Sequence, residues 1–216
     1  MLKGKNAFTL AELMVTLTVC AFLAALLLPA IAYIRPDKKK VLFKKAYYVA
    51  ERMVYELVND EDFYPTTGET VGLANTVVAS YLGYTYGGES DADAKSKFCK
   101  LFARKVNTTT DDVNCDDAHS KPTITYTGGG AFKEPSLVTT DGIAWYLPYS
   151  KFDKTTGTTA ETIYVDVNNE VEPNCLYNAT TCPRPDIFEI FVEPDGKMYV
   201  EGVKEREYLK SNNTSR

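Results

Sequence analysis

The chain has 216 residues, enough for one domain of ordinary size and an extension. Hydrophobic residues make up 44% and charged residues 25%, values typical of a soluble protein that exclude wholesale disorder and collagen-like repeats. The net charge of −5 argues against nucleic acid as the main partner. The single histidine, His119, excludes a metal site with several histidine ligands.

Positive and negative charges are unevenly distributed along the chain. Residues 1–45 carry eight lysines and arginines against two acidic residues, a net charge of +6, whereas the remainder carries sixteen against twenty-seven, a net charge of −11. Residues 8–34 contain a single charged side chain, Glu12. As a helix this segment is roughly 40 Å long, enough to cross a hydrocarbon core about 30 Å thick. It is therefore predicted to be a membrane helix or a signal sequence.

The start of the chain carries a motif with fixed spacing. A short basic leader ends in the small residue Ala7, and Phe8-Thr-Leu-Ala-Glu12 then opens the apolar run. This arrangement resembles the processing site of type IV pilins and type II secretion pseudopilins, in which glycine is usual where this chain has Ala7. The resemblance implies cleavage between Ala7 and Phe8 by prepilin peptidase, followed by N-methylation of Phe8. Pro29 also lies where many members of that family have a proline.

Glu12 lies in the apolar run, where a carboxylate costs a few kcal/mol unless it has a partner. The resemblance implies that Glu12 of one subunit pairs with the positively charged amino group of Phe8 on a neighbour and sets the axial register of a filament. Opposite charges attract strongly at short range in a low dielectric. The alternative is a carboxylate that reaches water near the helix N-terminus, where the helix dipole favours it.

A conventional secretory signal is a second interpretation of the same segment. Lys3 and Lys5 form its basic region, residues 13–28 its hydrophobic region, and Ala30-Ile-Ala32 an A-x-A cleavage site. Two features argue against this interpretation: Glu12 lies in the early hydrophobic part, and the hydrophobic region exceeds the usual maximum of about 15 residues.

An amphipathic helix is predicted to follow the apolar run. Its apolar side chains recur every three or four residues over 42–57, at Leu42, Ala46, Val49, Ala50, Met53, Val54 and Leu57. Pro29 and Pro36 interrupt the helical pattern, and each is expected to kink the chain or remove a backbone hydrogen bond.

A basic flank separates the apolar run from the acidic remainder. It consists of Arg35, Lys38, Lys39, Lys40, Lys44 and Lys45. The positive-inside rule favours a cytoplasmic location for such a flank, whereas the resemblance to pilins places it outside. Contact with anionic lipid headgroups is another use for these side chains.

The rest of the chain is predicted to form short strands and loops. Runs of aromatic and β-branched residues predict strands over 143–147, 162–167, 187–192 and 197–200. The last two flank Glu193-Pro-Asp-Gly196, a turn sequence that predicts an antiparallel hairpin. Residues 91–104 are predicted to form a short helix. The tail from Lys204 to Arg216 loses the apolar pattern and is predicted to be frayed.

Four of the five cysteines suit two disulfides in an oxidising compartment. They are Cys99, Cys115, Cys175 and Cys182, whereas Cys20 lies in the apolar run and is interpreted as a small hydrophobic residue. Three pairings are open. Cys99–Cys115 and Cys175–Cys182 are favoured because each closes a short loop in polar, turn-rich sequence. The spacing does not match the close pairs of structural zinc sites.

Catalysis and metal binding find little support in the residues. His119 lies in a polar loop without a nucleophile motif nearby. Asp166, Asn168 and Asp186 are weak candidates for oxygen ligands of calcium, by resemblance to pseudopilins that bind this ion near the same end of the chain. The competing interpretation is a strand end with turn-forming side chains.

The fold class implied by the resemblance is α+β, with a long N-terminal membrane-embedded helix packed on a small antiparallel sheet. The predicted organisation is a cytoplasmic leader (1–7), a membrane and assembly helix (8–34), its amphipathic continuation (35–60), an exported α+β domain (61–203) and a flexible tail (204–216).

The predicted function is structural: a subunit, minor or specialised, of a type IV pilus or a type II secretion-like pseudopilus. No enzyme activity and no cofactor are expected. The partners would be prepilin peptidase, other pilin or pseudopilin subunits and the lipid of the bacterial inner membrane. The monomer would sit there with a cytoplasmic N-terminus before entering a periplasmic or extracellular filament.

The alternative is a secreted or membrane-anchored binding domain, with a signal peptide cleaved after Ala32. Its binding surface would be lined by aromatic side chains such as Trp145, Tyr146 and Tyr149.

Overall fold

The computed structural model describes residues 9–34, 37–68, 70, 72–81, 83–109, 113–127, 129, 131–152 and 160–210. The chain divides into two compact units, Met1–Asp37 and Lys38–Arg216. The described residues of the first unit include helix α1, Leu10–Ile34, which continues past Pro29. Pro36 lies outside the described residues. In the second unit the described helices are α2 (Lys38–Val58), α3 (Asp91–Lys105) and α4 (Val203–Lys210).

Two antiparallel sheets complete the described part of the second unit. Strands β1 (Ala79–Tyr81) and β2 (Tyr84–Tyr86) form a hairpin. A five-stranded sheet has the order β3-β4-β5-β6-β7, with bounds Leu137–Val138, Ala144–Tyr146, Glu161–Asp166, Ile187–Val192 and Met198–Tyr199. All its neighbours are antiparallel, so the predicted α+β class and the four predicted strands are confirmed.

Helix α2 presents one apolar face to the core of the second unit. Its fully buried residues recur at intervals of three and four: Phe43, Ala46, Ala50, Val54 and Leu57. Such spacing places side chains on one side of a helix. The helix predicted over 42–57 is therefore confirmed, and it begins earlier, at Lys38.

The main core lies between one face of the five-stranded sheet and the helices of the second unit. Phe43 of α2 stacks on Phe188 of β6 with ring centroids 4.4 Å apart, and Phe102 of α3 contacts Trp145 of β4 at 5.4 Å. These aromatic pairs bury large apolar area where helix meets sheet. The rings therefore fix how α2 and α3 lie on the sheet.

The opposite face of the same sheet carries a smaller apolar cluster that includes Tyr146, Tyr164, Leu176 and Ile187. Because β4 lies between β3 and β5, with apolar clusters on both faces, Trp145 and Tyr146 are each only 1% exposed. The expectation that these two side chains line a binding surface is therefore wrong. Tyr149 is half-buried.

The hairpin predicted at residues 193–196 is confirmed. The Glu193 backbone N–H donates to Lys197 O at 2.8 Å, and Gly196 adopts φ +87°. That left-handed conformation favours glycine. A β-carbon at Gly196 would also stand 2.8 Å from Val58 Cγ2, so the turn packs directly against the end of α2.

Helix α3 follows the sequence prediction closely, over Asp91–Lys105 rather than 91–104. Ser90 is its N-cap, and the Ser90 hydroxyl accepts a hydrogen bond from the Asp93 backbone N–H at 3.1 Å. Asp91 and Asp93 in the first turn, with Arg104 and Lys105 in the last, match the helix dipole. Local sequence signals thus specify both ends of this helix.

The prediction of a frayed tail from Lys204 is wrong for residues 204–210, which belong to α4. Tyr208 is 6% exposed and lies 5.8 Å from Phe188 and 6.4 Å from Phe43, measured between ring centroids. Two side chains of the helix, Glu205 and Tyr208, are buried, too few to produce a clear apolar pattern in the sequence. Packing of one aromatic ring in the core therefore stabilises a segment that looks polar.

Candidate processing and assembly site

Helix α1 begins with a capping box formed by Thr9 and Glu12. The Thr9 hydroxyl accepts a hydrogen bond from the Glu12 backbone N–H at 3.3 Å. In return, the Thr9 backbone N–H and hydroxyl both donate to Glu12 Oε2 at 2.9 Å. This reciprocal pattern satisfies N–H groups that a helix start leaves without partners. The spacing Thr-x-x-Glu is the sequence signature of this motif, and it gives Glu12 a local structural role besides the assembly and snorkelling roles.

The capping box leaves half of the carboxylate available for another contact. Within the described residues, both hydrogen bonds that the Glu12 side chain accepts end on Oε2. Oε1 can therefore accept a hydrogen bond from a cation outside this helix. Ala7 and Phe8, the predicted cleavage site and methylated residue, lie outside the described residues.

The part of α1 up to Leu27 is apolar and exposed. Among the described residues, this is the helix long and apolar enough to cross a membrane, over Leu10–Leu27, and no side chain of that segment is buried. Its two threonine hydroxyls donate back to the helix, Thr16 to Leu13 O at 3.0 Å and Thr18 to Val15 O at 2.9 Å. Because these hydroxyl groups are satisfied locally, they carry little cost in an apolar environment. Cys20 is a free, exposed thiol on this helix.

Residues 2–28 match the family described as the prokaryotic N-terminal methylation motif. This segment is the signature of type IV pilins and pseudopilins. The chain carries that signature. The motif supports a pilin- or pseudopilin-like substrate of prepilin peptidase, and the apolar N-terminal helix with antiparallel sheets is consistent with a pilin-like α+β fold. No curated protein and no solved structure shows significant similarity to the chain.

Proteins that carry this motif are structural subunits, and the motif implies assembly with other pilin subunits. A membrane-anchored precursor that later enters a filament fits both the motif and the apolar helix.

Two disulfides stabilise the second unit. They join Cys99 to Cys115 and Cys175 to Cys182, the pairing favoured from loop length, with Cα–Cα distances of 5.6 and 6.5 Å. Cys99 is fully buried in α3, and its disulfide ties that helix to the loop that follows it. Cys175 and Cys182 close a loop on the sheet face opposite the helices, beside Leu176.

The calcium candidates lie together at this second disulfide loop. Asp186 is fully buried, and its carboxylate accepts hydrogen bonds from the backbone N–H groups of Asn174 at 3.1 Å and Cys175 at 2.9 Å. Lys39 Nζ of α2 lies 3.7 Å from Asp186 Oδ2. The aspartate therefore holds the loop and links it to α2.

The second acidic calcium candidate, Asp166, is 1% exposed and accepts a hydrogen bond from the Asn168 backbone N–H at 3.0 Å. Burial, with a smaller contribution from the Asp186 charge, raises the pKa of Asp166 to about 7. The described residues contain no cluster of three or more histidine, cysteine, aspartate or glutamate side chains arranged to hold a metal ion. Calcium binding by Asp166, Asn168 and Asp186 stays a prediction based on resemblance.

His119 belongs to a short 3₁₀ turn, Asp117–His119. Its Nδ1 lies 2.7 Å from Asp116 Oδ1, and its Nε2 lies 3.5 Å from Glu134 Oε2. The hydrogen bond with His119 lowers the pKa of Asp116. Within the described residues the ring thus contacts two carboxylates, an arrangement that holds a loop and does not activate a nucleophile.

Proposed function

We propose that this protein is a structural subunit, minor or specialised, of a type IV pilus or of a type II secretion-like pseudopilus. Prepilin peptidase cuts between Ala7 and Phe8, Phe8 is N-methylated, and the mature chain polymerises through its N-terminal helix. The match of residues 2–28 to the methylation motif carries this proposal. The exposed apolar segment Leu10–Leu27 supports it, because such a surface needs lipid or other helices around it.

Glu12 provides the register of assembly in this proposal. Its Oε1 accepts a hydrogen bond from the methylated amino group of Phe8 in a neighbouring subunit, while its Oε2 remains in the capping box with Thr9. A charge pair in an apolar environment is favourable only when both groups are close and hydrogen-bonded. Subunits that slide out of register would leave the carboxylate unpaired in the apolar phase, at a cost of a few kcal/mol.

The monomer is held in the inner membrane with its N-terminus in the cytoplasm, and the second unit lies outside. Two disulfides support export, since they form and persist in oxidising compartments. The lysines of α2 oppose this orientation by the positive-inside rule. Two of them form ion pairs within the second unit, Lys39 with Asp186 and Lys45 with Asp141. This part of the positive charge therefore favours the folded structure and need not be a topology signal.

A minor or specialised role is supported by the elements of the second unit. The second unit adds two disulfide loops and a helix, α4, to the sheet. Such additions suit a subunit with a dedicated position in the filament.

The experiment that tests the function is recovery of the protein in filaments. Filaments sheared from host cells are separated from membranes, and the chain is detected in each fraction with an antibody raised against it. The proposal expects the mature chain in the filament fraction, and only unprocessed chain in membranes when prepilin peptidase is deleted. A chain found solely as a soluble secreted protein, independent of that peptidase, would favour the binding-domain alternative.

A further inference from the structure

Helix α4 carries one carboxylate into the interior of the second unit. Glu205 lies in the first turn of this helix and is 3% exposed. Its carboxylate is folded back against Gly202, just before the helix, where a β-carbon would overlap Glu205 Oε2. The absence of a side chain at residue 202 therefore makes the space in which this carboxylate is enclosed.

The buried carboxylate lacks a compensating positive charge in the described part of the chain. Glu205 Oε2 has no hydrogen-bond partner there. Lys204, the preceding residue, pairs instead with the exposed Glu207, at 2.7 Å. An ionised carboxylate that is buried without a partner is strongly unfavourable, whereas the protonated form costs much less. The position therefore suits a neutral Glu205.

Strand β6 supplies a second acidic group that also favours the neutral form. Burial raises the pKa of the Glu205 carboxyl, and the charge of Glu189 on β6 acts in the same direction, whereas two backbone N–H groups and Arg206 act against it. Burial and the charge of Glu201 raise the pKa of Glu189 in turn, and the Tyr164 hydroxyl of β5 lowers it. A second carboxyl group thus adds to the cost of ionising Glu205.

Helix α2 is the other element packed against α4, through Phe43. Its ionisable side chains on the turns around that residue are Lys39, Lys40, Lys44 and Tyr47. The charged groups with the largest effect on the pKa of Glu205 belong to β6 and to α4 itself, and they are Glu189 and Arg206. The state of Glu205 is therefore set mainly by its burial and by these two neighbours.

Tyr208 holds the next turn of α4 on the core. It lies one turn after Glu205 on the same face of the helix, and its ring centroid is 6.4 Å from that of Phe43 and 5.8 Å from that of Phe188. A helix of eight residues is too short to be stable by itself in water. Movement of the first turn would therefore release Tyr208 and expose the apolar rings beneath it.

We propose that α4 is a pH-sensitive latch: protonated Glu205 keeps the helix closed over Phe43 and Phe188, and ionised Glu205 turns toward water and opens it. The proton passes to solvent when the latch opens. The closed form binds more protons between the ordinary pKa of the carboxyl, 4.5, and its raised pKa. The closed form is therefore favoured at low pH and loses this advantage as the pH rises through that window. The inference concerns the second unit alone and is independent of the proposed filament role.

Amide hydrogen exchange of the full detergent-solubilised chain tests the latch. Exchange is measured from about pH 5 to about pH 8 and corrected for the intrinsic effect of pH on exchange. The buried Ile163 and Val165 of β5 are the reference for opening of the whole unit. We expect the opening of residues 203–210 to rise with pH relative to β5, by up to about tenfold per pH unit, because one proton is released.

Two matched substitutions identify the titrating group. Glu205→Gln cannot ionise, so the opening of residues 203–210 should no longer change with pH. Glu207→Gln removes a carboxylate of the same helix that is exposed and paired with Lys204, and this variant should keep the wild-type rise. An equal rise in Glu205→Gln and in the wild type would overturn the inference.

A third variant, Glu189→Gln, keeps the titrating group and removes its acidic neighbour. The pKa of Glu205 should then be raised less, so the rise in opening should be smaller and end at a lower pH. If Glu205→Gln leaves residues 203–210 unprotected at every pH, this variant decides: a smaller rise supports the latch, and an unchanged rise refutes it. A rise that disappears in Glu189→Gln and persists in Glu205→Gln would assign the titration to Glu189 and refute the latch as well.

Discussion

Glu12 has two roles that one substitution cannot separate, because its carboxylate both caps α1 and carries charge. Glutamine preserves the capping box, since its amide oxygen accepts the same hydrogen bonds, but it removes the charge. We therefore expect Glu12→Gln to be inserted and processed like the wild type and to enter filaments poorly. Glu12→Ala should behave similarly, and Glu12→Lys should be worse because two positive groups would face each other in lipid.

The measurement for Glu12 is the ratio of mature chain in sheared filaments to mature chain in membranes. Thr9→Val is the matched control, because it removes the capping hydroxyl and leaves the charge. It should lower filament entry much less than Glu12→Gln does. Normal incorporation of both Glu12→Gln and Glu12→Lys would leave only the snorkelling interpretation.

Lys97 is the second residue with an unusual environment. It is 2% exposed, and its Nζ donates to Asn75 O at 2.9 Å and Val77 O at 2.8 Å and lies 4.1 Å from the centroid of the Tyr64 ring. Burial lowers the pKa of Lys97 to about 8. The side chain thus fastens the segment that precedes β1 to helix α3, at the cost of an ammonium held away from water.

Stability should depend on pH through this lysine. The folded chain releases the proton near pH 8, whereas the unfolded chain keeps it to about pH 10.5. The unfolded state binds more protons between these values, so the free energy of unfolding rises with pH across that window. The advantage of the wild type over Lys97→Met should therefore grow by up to a few kcal/mol from about pH 7 to about pH 10.

Urea unfolding of the detergent-solubilised chain, followed by the fluorescence of Trp145, measures this difference. Trp145 is the single tryptophan and is buried in the second unit, so it reports that unit alone. A constant difference between wild type and Lys97→Met at all pH values would contradict the argument.

At the scale of elements, the two disulfides close loops of different length. Cys99–Cys115 spans 16 residues and Cys175–Cys182 spans 7. Loop-closure entropy predicts a stabilisation of about 3 kcal/mol for the longer loop and about 2 kcal/mol for the shorter. Replacing Cys99 and Cys115 by serine should therefore lower the free energy of unfolding more than the same change at Cys175 and Cys182. The burial of Cys99 adds to this difference, because a serine hydroxyl would be enclosed in its place.

The pairing itself is checked by non-reducing peptide mapping of protein from the host. The expected crosslinked peptides contain Cys99 with Cys115 and Cys175 with Cys182. Four free thiols would refute both the pairing and the oxidising compartment, whereas a crossed pattern would refute the pairing alone.

Helix α4 depends on one aromatic side chain for its place on the core. Tyr208 packs against both Phe43 and Phe188, which stack on each other, so Tyr208→Ala removes a ring from the contact of α2, α4 and β6. We expect the free energy of unfolding to fall by about 3 kcal/mol. This is the low end of the range for aromatic truncation, because the ring is at the edge of the core. Tyr208→Phe should retain most of the stability. Amide hydrogen exchange should show faster exchange in residues 203–210 for Tyr208→Ala, and unchanged protection there would contradict the role of the ring.

At the scale of the whole molecule, the position of the mature N-terminus separates the two functional classes. Prepilin processing removes seven residues and keeps the apolar helix, whereas signal peptidase cleavage after Ala32 would remove most of α1. We expect a mature chain that begins at Phe8 with one added methyl group. Intact mass and N-terminal sequencing of protein from host membranes measure this, and a chain beginning at Tyr33 would contradict the filament role.

A matched pair of variants strengthens the processing prediction. Ala7→Gly restores the residue usual in the family and should be processed at least as well as the wild type. Ala7→Leu places a bulky side chain before the cut and should accumulate as the unprocessed form.

The sequence by itself determined the features that are encoded locally. The methylation motif and the apolar run lie within about thirty consecutive residues, so recognising them in the sequence needs no tertiary contact. The apolar face of α2, the span of α3 and the turn that ends in Gly196 are likewise specified by residues close together in the chain. These predictions agree with the structure because helix periodicity and turn chemistry act over short distances.

Only the tertiary structure decided the features that depend on distant residues. Strands β1, β2 and β3 contain two or three residues each, too few to show an alternating pattern. The burial of Trp145 and Tyr146, the helix around Tyr208 and the enclosed Lys97 arise from neighbours far along the chain. In each case packing outweighs local preference, because burying an aromatic ring or satisfying a buried carbonyl is worth more than the propensity of a few residues.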